Sequence, residues 1–362
     1  MRRRTISRRG LFGQASGLAI ATLLPSPAIA EIRQVKFTLP WLPGGPYAFV
    51  YMANAKGYMK ERGFDMSIAR GFGSYASAQS ISAGNFDCGL CAAPALTLSV
   101  TKGLPLIALA TTEYDATMGV GVLADSPIKK PQDLAGKKIA SVPTSAEFPF
   151  LPAYAEKVGL DINTIESVHV DNKVIEHVLE EKQVDAITNF ATGSYATMMS
   201  QGFPSRWMLY SAAGIKNSGQ TIAVTKTTLA KDPALCEAFV GGLLEGIAFT
   251  LTNPDETVEL FLKQIPEMAL NPNAKAQTRL GLAIWQHSVE HPESRAHGLG
   301  WCDPDAFTEM TDLVMQYLAE PGMQRPDHDA LFTNQFSGKI KLDETQWTQV
   351  RNRVSAYDKV FG

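Results

Sequence analysis

Two short stretches of this 362-residue chain hold residue types at spacings that could do covalent or metal chemistry, and a third could bind a solute. Cys88-Gly89-Leu90-Cys91 sets two thiols at redox spacing, where a strand should hand over to a helix. A reactive dithiol fits that spacing, and so do two small apolar residues at a buried strand end. No Trp precedes the pair and no Pro lies within it, which favours the second reading. His287-Ser288-Val289-Glu290-His291 matches the H-x-x-E-H pattern of one metallopeptidase class. That chemistry needs a helix running past both histidines and a further ligand. Pro292 should end the helix at once, and Leu282, Ile284, Trp285 and Val289 fall at core-packing spacing. Adventitious metal at His287, His291 and His297 is the remaining metal reading. Gly71-Phe72-Gly73 lacks the third glycine of a dinucleotide fingerprint, and Gly44-Gly45 lacks the Gly-Lys-Ser/Thr of a phosphate loop. With no nucleophile elbow and no Ser-His-Asp arrangement in view, no cofactor and no resident metal are expected.

The third stretch runs from Lys36 to Ile68. Lys36 to Trp41 alternates and is rich in strand formers. Leu42-Pro43-Gly44-Gly45-Pro46 can neither continue a strand nor sit inside a helix, so the chain must turn. Tyr47 to Lys60 carries apolar residues at helical spacing, Gly63 stops it, and Phe64 to Ile68 begins a new strand. In such a βαβ unit, ligands bind at the carboxyl end of the strand, facing a helix amino end. Trp41 and Tyr47 around two glycines form an aromatic platform suited to a small planar solute.

The amino end reads as an export signal. Ser7-Arg8-Arg9-Gly10-Leu11 matches the twin-arginine pattern, Leu11 to Leu24 is a weakly apolar core, and Ala28-Ile29-Ala30 is a small-residue cleavage site. The expected mature chain begins at Glu31, free in a bacterial periplasm and without a lipid anchor. The formal charge of the whole chain is -3. Losing Arg2, Arg3, Arg4, Arg8 and Arg9, with no acidic residue in the same segment, takes it to -8. That excludes nucleic acid and anionic membrane as natural partners. No later stretch reads as long and apolar enough to span a bilayer. A Cys236–Cys302 disulfide remains open from the sequence.

Strand and helix patterns alternate from Lys36 to Thr111, implying a mostly parallel sheet. Gly119 to Ala124 reads as a strand leaving this first lobe. A new βα series follows the turn-rich Ile128 to Ile139, and Thr221 to Thr225 reads as a strand returning. The expected organisation is a signal over residues 1–30, lobe one over 31–123 and 217–362, and lobe two over 124–216. From Pro233 onward the pattern is helical.

With these elements in place, the chain resembles the type II periplasmic solute-binding proteins of ABC importers. Within that class it resembles the group serving aliphatic sulfonates, taurine, nitrate and thiamine pyrimidine precursors. The resemblance rests on the stretches from Ala55 to Asp65, Ser80 to Leu90, Lys129 to Ser141 and Glu181 to Thr188. It extends from Val35 to about Asn253. It implies an α/β fold of two lobes, the type II periplasmic-binding-protein fold, with two hinge crossings and a helical C-terminal extension.

The resemblance also implies a ligand between the lobes, at strand carboxyl ends and helix amino ends. The matching positions are Trp41, Tyr47, Phe72, Ser74, Cys91, Ala93, Thr112, Glu113 and Tyr114 from lobe one, with Ala92 beside them. Lobe two supplies Thr144, Ser145, Glu147, Phe148, Asn189 and Phe190, with Tyr210 a further candidate. The set is aromatic and acidic, and Arg70 reads as the one nearby cation. It therefore favours a pyrimidine or related nitrogen heterocycle. An organic anion held by helix amino ends, near Ser74 and Ser145, is the alternative. An enzyme like the eukaryotic pyrimidine-precursor synthases is a further alternative. Those carry a cysteine-rich iron motif in the second lobe that this sequence lacks. The expectation is a monomeric, non-enzymatic receptor that hands one small molecule to an inner-membrane permease.

Overall fold

Strand β1 (Arg33–Thr38) pairs in parallel with β2 (Phe64–Ala69) and with β3 (Cys88–Ala92). This computed structural model describes residues 32–358. The expected signal segment and its cleavage site lie outside the described residues. Strand β4 (Leu106–Thr111) completes the first lobe's parallel series, but it does not touch β3. A strand from much later in the chain comes between them.

The chain then crosses into a second sheet. Strand β5 (Met118–Leu123) lies antiparallel between β8 (Ala186–Phe190) and β9 (Ser205–Leu209). Strands β6 (Lys138–Ser141) and β7 (Glu166–His169) run parallel beside β8, giving the order β7-β6-β8-β5-β9. The expected lobe boundary at 123 is thus late. Met118, Val120 and Val122 are buried in the second core, so the crossing falls within 112–117. The chain returns between Leu209 and Gln220. Strand β10 (Gln220–Thr225) then inserts antiparallel between β3 and β4, closing the order β2-β1-β3-β10-β4.

Helices finish the first lobe. The helix Ala48–Ala55 is almost wholly apolar because it packs on all sides, and Phe49 stacks on Trp285 at 5.2 Å. Gly57, at φ +80, breaks the single helix expected from Tyr47 to Lys60 into two pieces. Pro233–Thr252 is a correction to the membrane reading, since its length and hydropathy would let it cross a bilayer. Here Phe239, Leu243, Ile247 and Leu251 are buried in the main core, where apolar side chains on nearly every face are needed.

Candidate functional site

A cavity of about 190 Å³ opens between the two sheets. Its first wall is the loop after β1. Gly45 is required there, because a Cβ would collide with the backbone of the helix Ala274–Val289 at Thr278, Gly281 and Leu282. That close approach holds Trp41, Leu42, Pro43 and Tyr47 along the cavity. Burial and the nearby Glu113 carboxylate both push the Tyr47 phenol up, so it keeps its proton and can donate.

Glu113 follows β4 and is 3% exposed. Thr192 Oγ1 donates to its Oε1 at 3.0 Å. Burial raises the Glu113 carboxyl to about 7, against the pull of the Thr192 hydroxyl. Gln220, at the start of β10, lines the same space and is 4% exposed, and its Oε1 has no hydrogen-bond partner among the described residues. From the second lobe come Ser145, Asn189 and Phe190. They are joined by Lys173 and Glu176, on the segment that follows β7. Ser194 Oγ donates to Glu176 Oε1 at 2.6 Å, and burial raises this carboxyl too. The Asn189 amide is spent internally, donating to Ser194 Oγ at 2.8 Å and accepting from the Phe190 N–H at 2.8 Å. The lining is therefore rich in acceptors and aromatic rings, and Lys173 is its one lysine or arginine.

Of the sequence candidates, Trp41, Tyr47, Ser74, Glu113, Ser145, Asn189 and Phe190 line this cavity. The others do not. Phe72 is 54% exposed, with the Arg70 guanidinium 4.3 Å above its ring. Cys91 and Ala93 are buried in the first lobe, their backbones bonded to Thr221 Oγ1 and the Gly219 carbonyl. Thr112 is buried, its carbonyl accepting from Trp285 Nε1 at 3.0 Å and its Oγ1 donating to the Gln220 carbonyl at 3.2 Å. Tyr114 stacks on His291 at 5.1 Å, facing away from the cleft residues. Thr144 donates to the Phe72 carbonyl across the two lobes. Glu147 is fully buried. It accepts from Ser145 Oγ, has no partner for Oε1 among the described residues, and is raised by burial to about 7. Phe148 meets His169 edge-on at 5.3 Å.

Residues 46–257 match the family described as NMT1/THI5 like. The chain belongs to the NMT1/THI5-like family. This member is similar to the riboflavin-binding protein RibY of Chloroflexus aurantiacus, 26% identical over 88% of this chain and 90% of that one. It is also similar to a formylaminopyrimidine-binding protein of Halalkalibacterium halodurans, 21% identical over 78% and 91%. Among solved structures it resembles the alkanesulfonate-binding protein SsuA of Xanthomonas axonopodis pv. citri bound to MOPS. The TM-score is 0.64 and the identity 15%, over 84% of this chain and all of that one. The architecture of this NMT1/THI5-like chain is thus the two-lobe periplasmic-binding-protein fold.

The cysteine and histidine motifs fall outside the NMT1/THI5-like cleft. All four cysteines are free and buried. Cys236 and Cys302 sit in different core clusters, so the disulfide left open by the sequence is not formed. Burial pushes the Cys91 and Cys302 thiols up to about 12, which makes thiolate attack slow at neutral pH. The native protein should resist an aromatic disulfide reagent over minutes and react at all four thiols only in denaturant. One rapid equivalent in the native state would contradict the buried arrangement. The helix carrying His287 ends at Val289, His287 Nε2 pairs with Asp358 at 2.9 Å, and Pro292 starts a new turn of helix.

Arg70 is not the nearby cation. It bonds Asn172 Oδ1 at 2.7 Å beside the cleft, and Lys173 takes the position on the lining. The strand-end rule that selected Asn189 would also have found Lys173 and Glu176, since one lies in the loop after β7 and the other in the first turn of the helix Ile175–Glu180 that follows. Gln277, from the helix Ala274–Val289, had no such signal in the sequence.

Proposed function

We propose that this chain is the periplasmic receptor of an ABC importer and holds a small planar nitrogen heterocycle bearing N–H groups between its lobes. It is a solute-binding protein and not an enzyme. The observation carrying the ligand class is the set of acceptors on the cavity wall: Glu113, Glu176 and the unpartnered Gln220 Oε1. A buried acceptor without a partner costs about 1–3 kcal/mol, so a ligand that donates there is favoured over one that does not. Trp41, Tyr47 and Phe190 add aromatic surface for a ring. The cavity, at about 190 Å³, lies below the roughly 300–1,000 Å³ typical of sites for larger molecules. A single pyrimidine suits it better than a chain-bearing tricycle.

Closure of the lobes would bury the solute and present a joined surface to an inner-membrane permease. Twin-arginine export, cleavage after Ala30 and a monomeric state belong to the same reading. Sequencing the amino end of the periplasmic form checks the second of these. An organic anion is the second reading, because the Lys173 ammonium lines the cavity without an ion-pair partner among the described residues.

A thermal-shift screen of residues 31–362 separates the two, since a tight binder raises the midpoint by mass action. A rise with aminopyrimidines supports the heterocycle, and a rise with sulfonates or aromatic acids alone overturns it. Trp41→Ala should weaken the bound heterocycle by about tenfold or more, through lost stacking. An unchanged dissociation constant by calorimetry would remove Trp41 from the contact.

A further inference from the structure

A second cavity of about 260 Å³ is walled by both crossing segments between the sheets and shares no lining residue with the first. At its floor, Asn217 is 7% exposed and Tyr114 is 8% exposed. The Asn217 backbone carbonyl is committed, accepting from the Ala116 N–H at 2.9 Å. Its side chain is not: among the described residues neither Oδ1 nor Nδ2 has a partner. A buried amide with both ends unmet asks for a guest that both donates and accepts.

The rim sets the charge of that guest. Asp115, Asp303 and Glu309 face the opening, and none is ion-paired among the described residues. One Asp303 oxygen accepts from the Asp305 N–H at 2.9 Å, leaving the other available. Lys216 is the lone lysine or arginine of the lining. His291 stands against Tyr114, its Nδ1 accepting from the Glu293 N–H, so one aromatic face on each ring is already covered. Among the described residues no three His, Cys, Asp or Glu side chains converge closely enough to hold a metal ion. The negative rim therefore selects an organic cation.

We propose that this hinge cavity binds a small primary amine that also carries a hydroxyl. The ammonium group would donate to Asn217 Oδ1 and face the acidic rim. The hydroxyl would accept from Asn217 Nδ2. Because both crossing segments form the wall, the guest bridges them.

The probe is ethanolamine, titrated into isotopically labelled protein of residues 31–362 and followed by amide NMR shifts. Saturable shifts at residues 111–116 and 211–218, with a dissociation constant of about 1 mM or below, are expected. Asn217→Leu should abolish them. An Asp115→Asn, Glu309→Gln double variant should weaken them by about fivefold or more, from loss of two charges. Both of its sites are exposed, so it keeps the question answerable if Asn217→Leu fails to fold. Ethylene glycol, which lacks the charge, should bind far more weakly. The proposal is overturned if ethanolamine shows no saturation. It is equally overturned if both hinge variants bind as wild type or if ethylene glycol binds equally.

Discussion

Replacing Gly73 with alanine should weaken solute binding by about a hundredfold or more, equivalent to about 2.7 kcal/mol. Gly73 precedes the helix Ser74–Ser82 with φ 114 and ψ 151, a conformation that side chains disfavour. A Cβ there would also fall 2.8 Å from Thr144 Oγ1 and closer still to the Thr144 carbonyl, on the opposite lobe. The seam around it is bonded: the Tyr75 N–H donates to the Thr144 carbonyl at 3.1 Å, and Thr144 Oγ1 donates to the Phe72 carbonyl. Arg70 and Asn172 close it from the side, with Asn172 Nδ2 reaching the Gly71 carbonyl at 3.3 Å. Alanine would hold these groups apart. Calorimetric titration with the best heterocycle measures the loss, and a melting curve of the free protein separates it from lobe strain. Wild-type affinity in Gly73→Ala would show that this seam does not form around the solute.

Glu113→Gln should weaken an N–H-bearing heterocycle by roughly tenfold to a hundredfold, the range of a hydrogen bond to a charged group. It should also change the pH profile. Burial raises Glu113 from 4.5 to about 7, so the accepting carboxylate forms only as pH rises through that value. Binding should tighten from pH 6 to pH 8 in the wild type and less steeply in Glu113→Gln, where Glu176, also raised by burial, remains on the cavity wall. The stability of the free protein moves the other way. Glu113 and Glu147 both have folded values near 7, above the ordinary 4.5, so the folded state keeps protons that the unfolded chain has released. Stability present at low pH is then lost as pH climbs from about 4.5 through 7, by up to about 1.4 kcal/mol per pH unit for each group. Glu147→Gln should flatten part of that slope. Binding that weakens toward pH 8 would mean that a protonated Glu113 donates to the solute instead.

Much of this was legible in the sequence where local chemistry alone decides the outcome. The Pro-Gly-Gly-Pro loop had to turn, and Gly45 does so against another helix. Trp41, Tyr47, Glu113 and Asn189 stand at strand ends and face the cavity as that position implies. What strand ends do not reveal is side-chain direction. Thr112 and Tyr114 flank Glu113 yet are engaged elsewhere, Thr112 Oγ1 donating to the Gln220 carbonyl and the Tyr114 ring stacking on His291, both partners from far later in the chain. Nor does alternation reveal sheet membership. Met118 to Leu123 has an ordinary strand pattern, and only its pairing with β8 and β9 assigns it to the second lobe. Pro233–Thr252 shows the same limit, since composition cannot separate a core helix from a spanning one.

The insertion of β10 between β3 and β4 bears on how the molecule is made. β4 bonds to β10 on one edge, and on the other to residues 331–333, both downstream of it. A ribosome adding roughly 5–20 residues per second finishes β4 several seconds before Gln220 exists. Through that interval an apolar strand, fully buried in the finished protein, has neither neighbour. The amino-terminal lobe thus cannot mature during synthesis as a separate body. Its completion waits for the other lobe to be translated, and the nascent chain has to be shielded from its own kind until then.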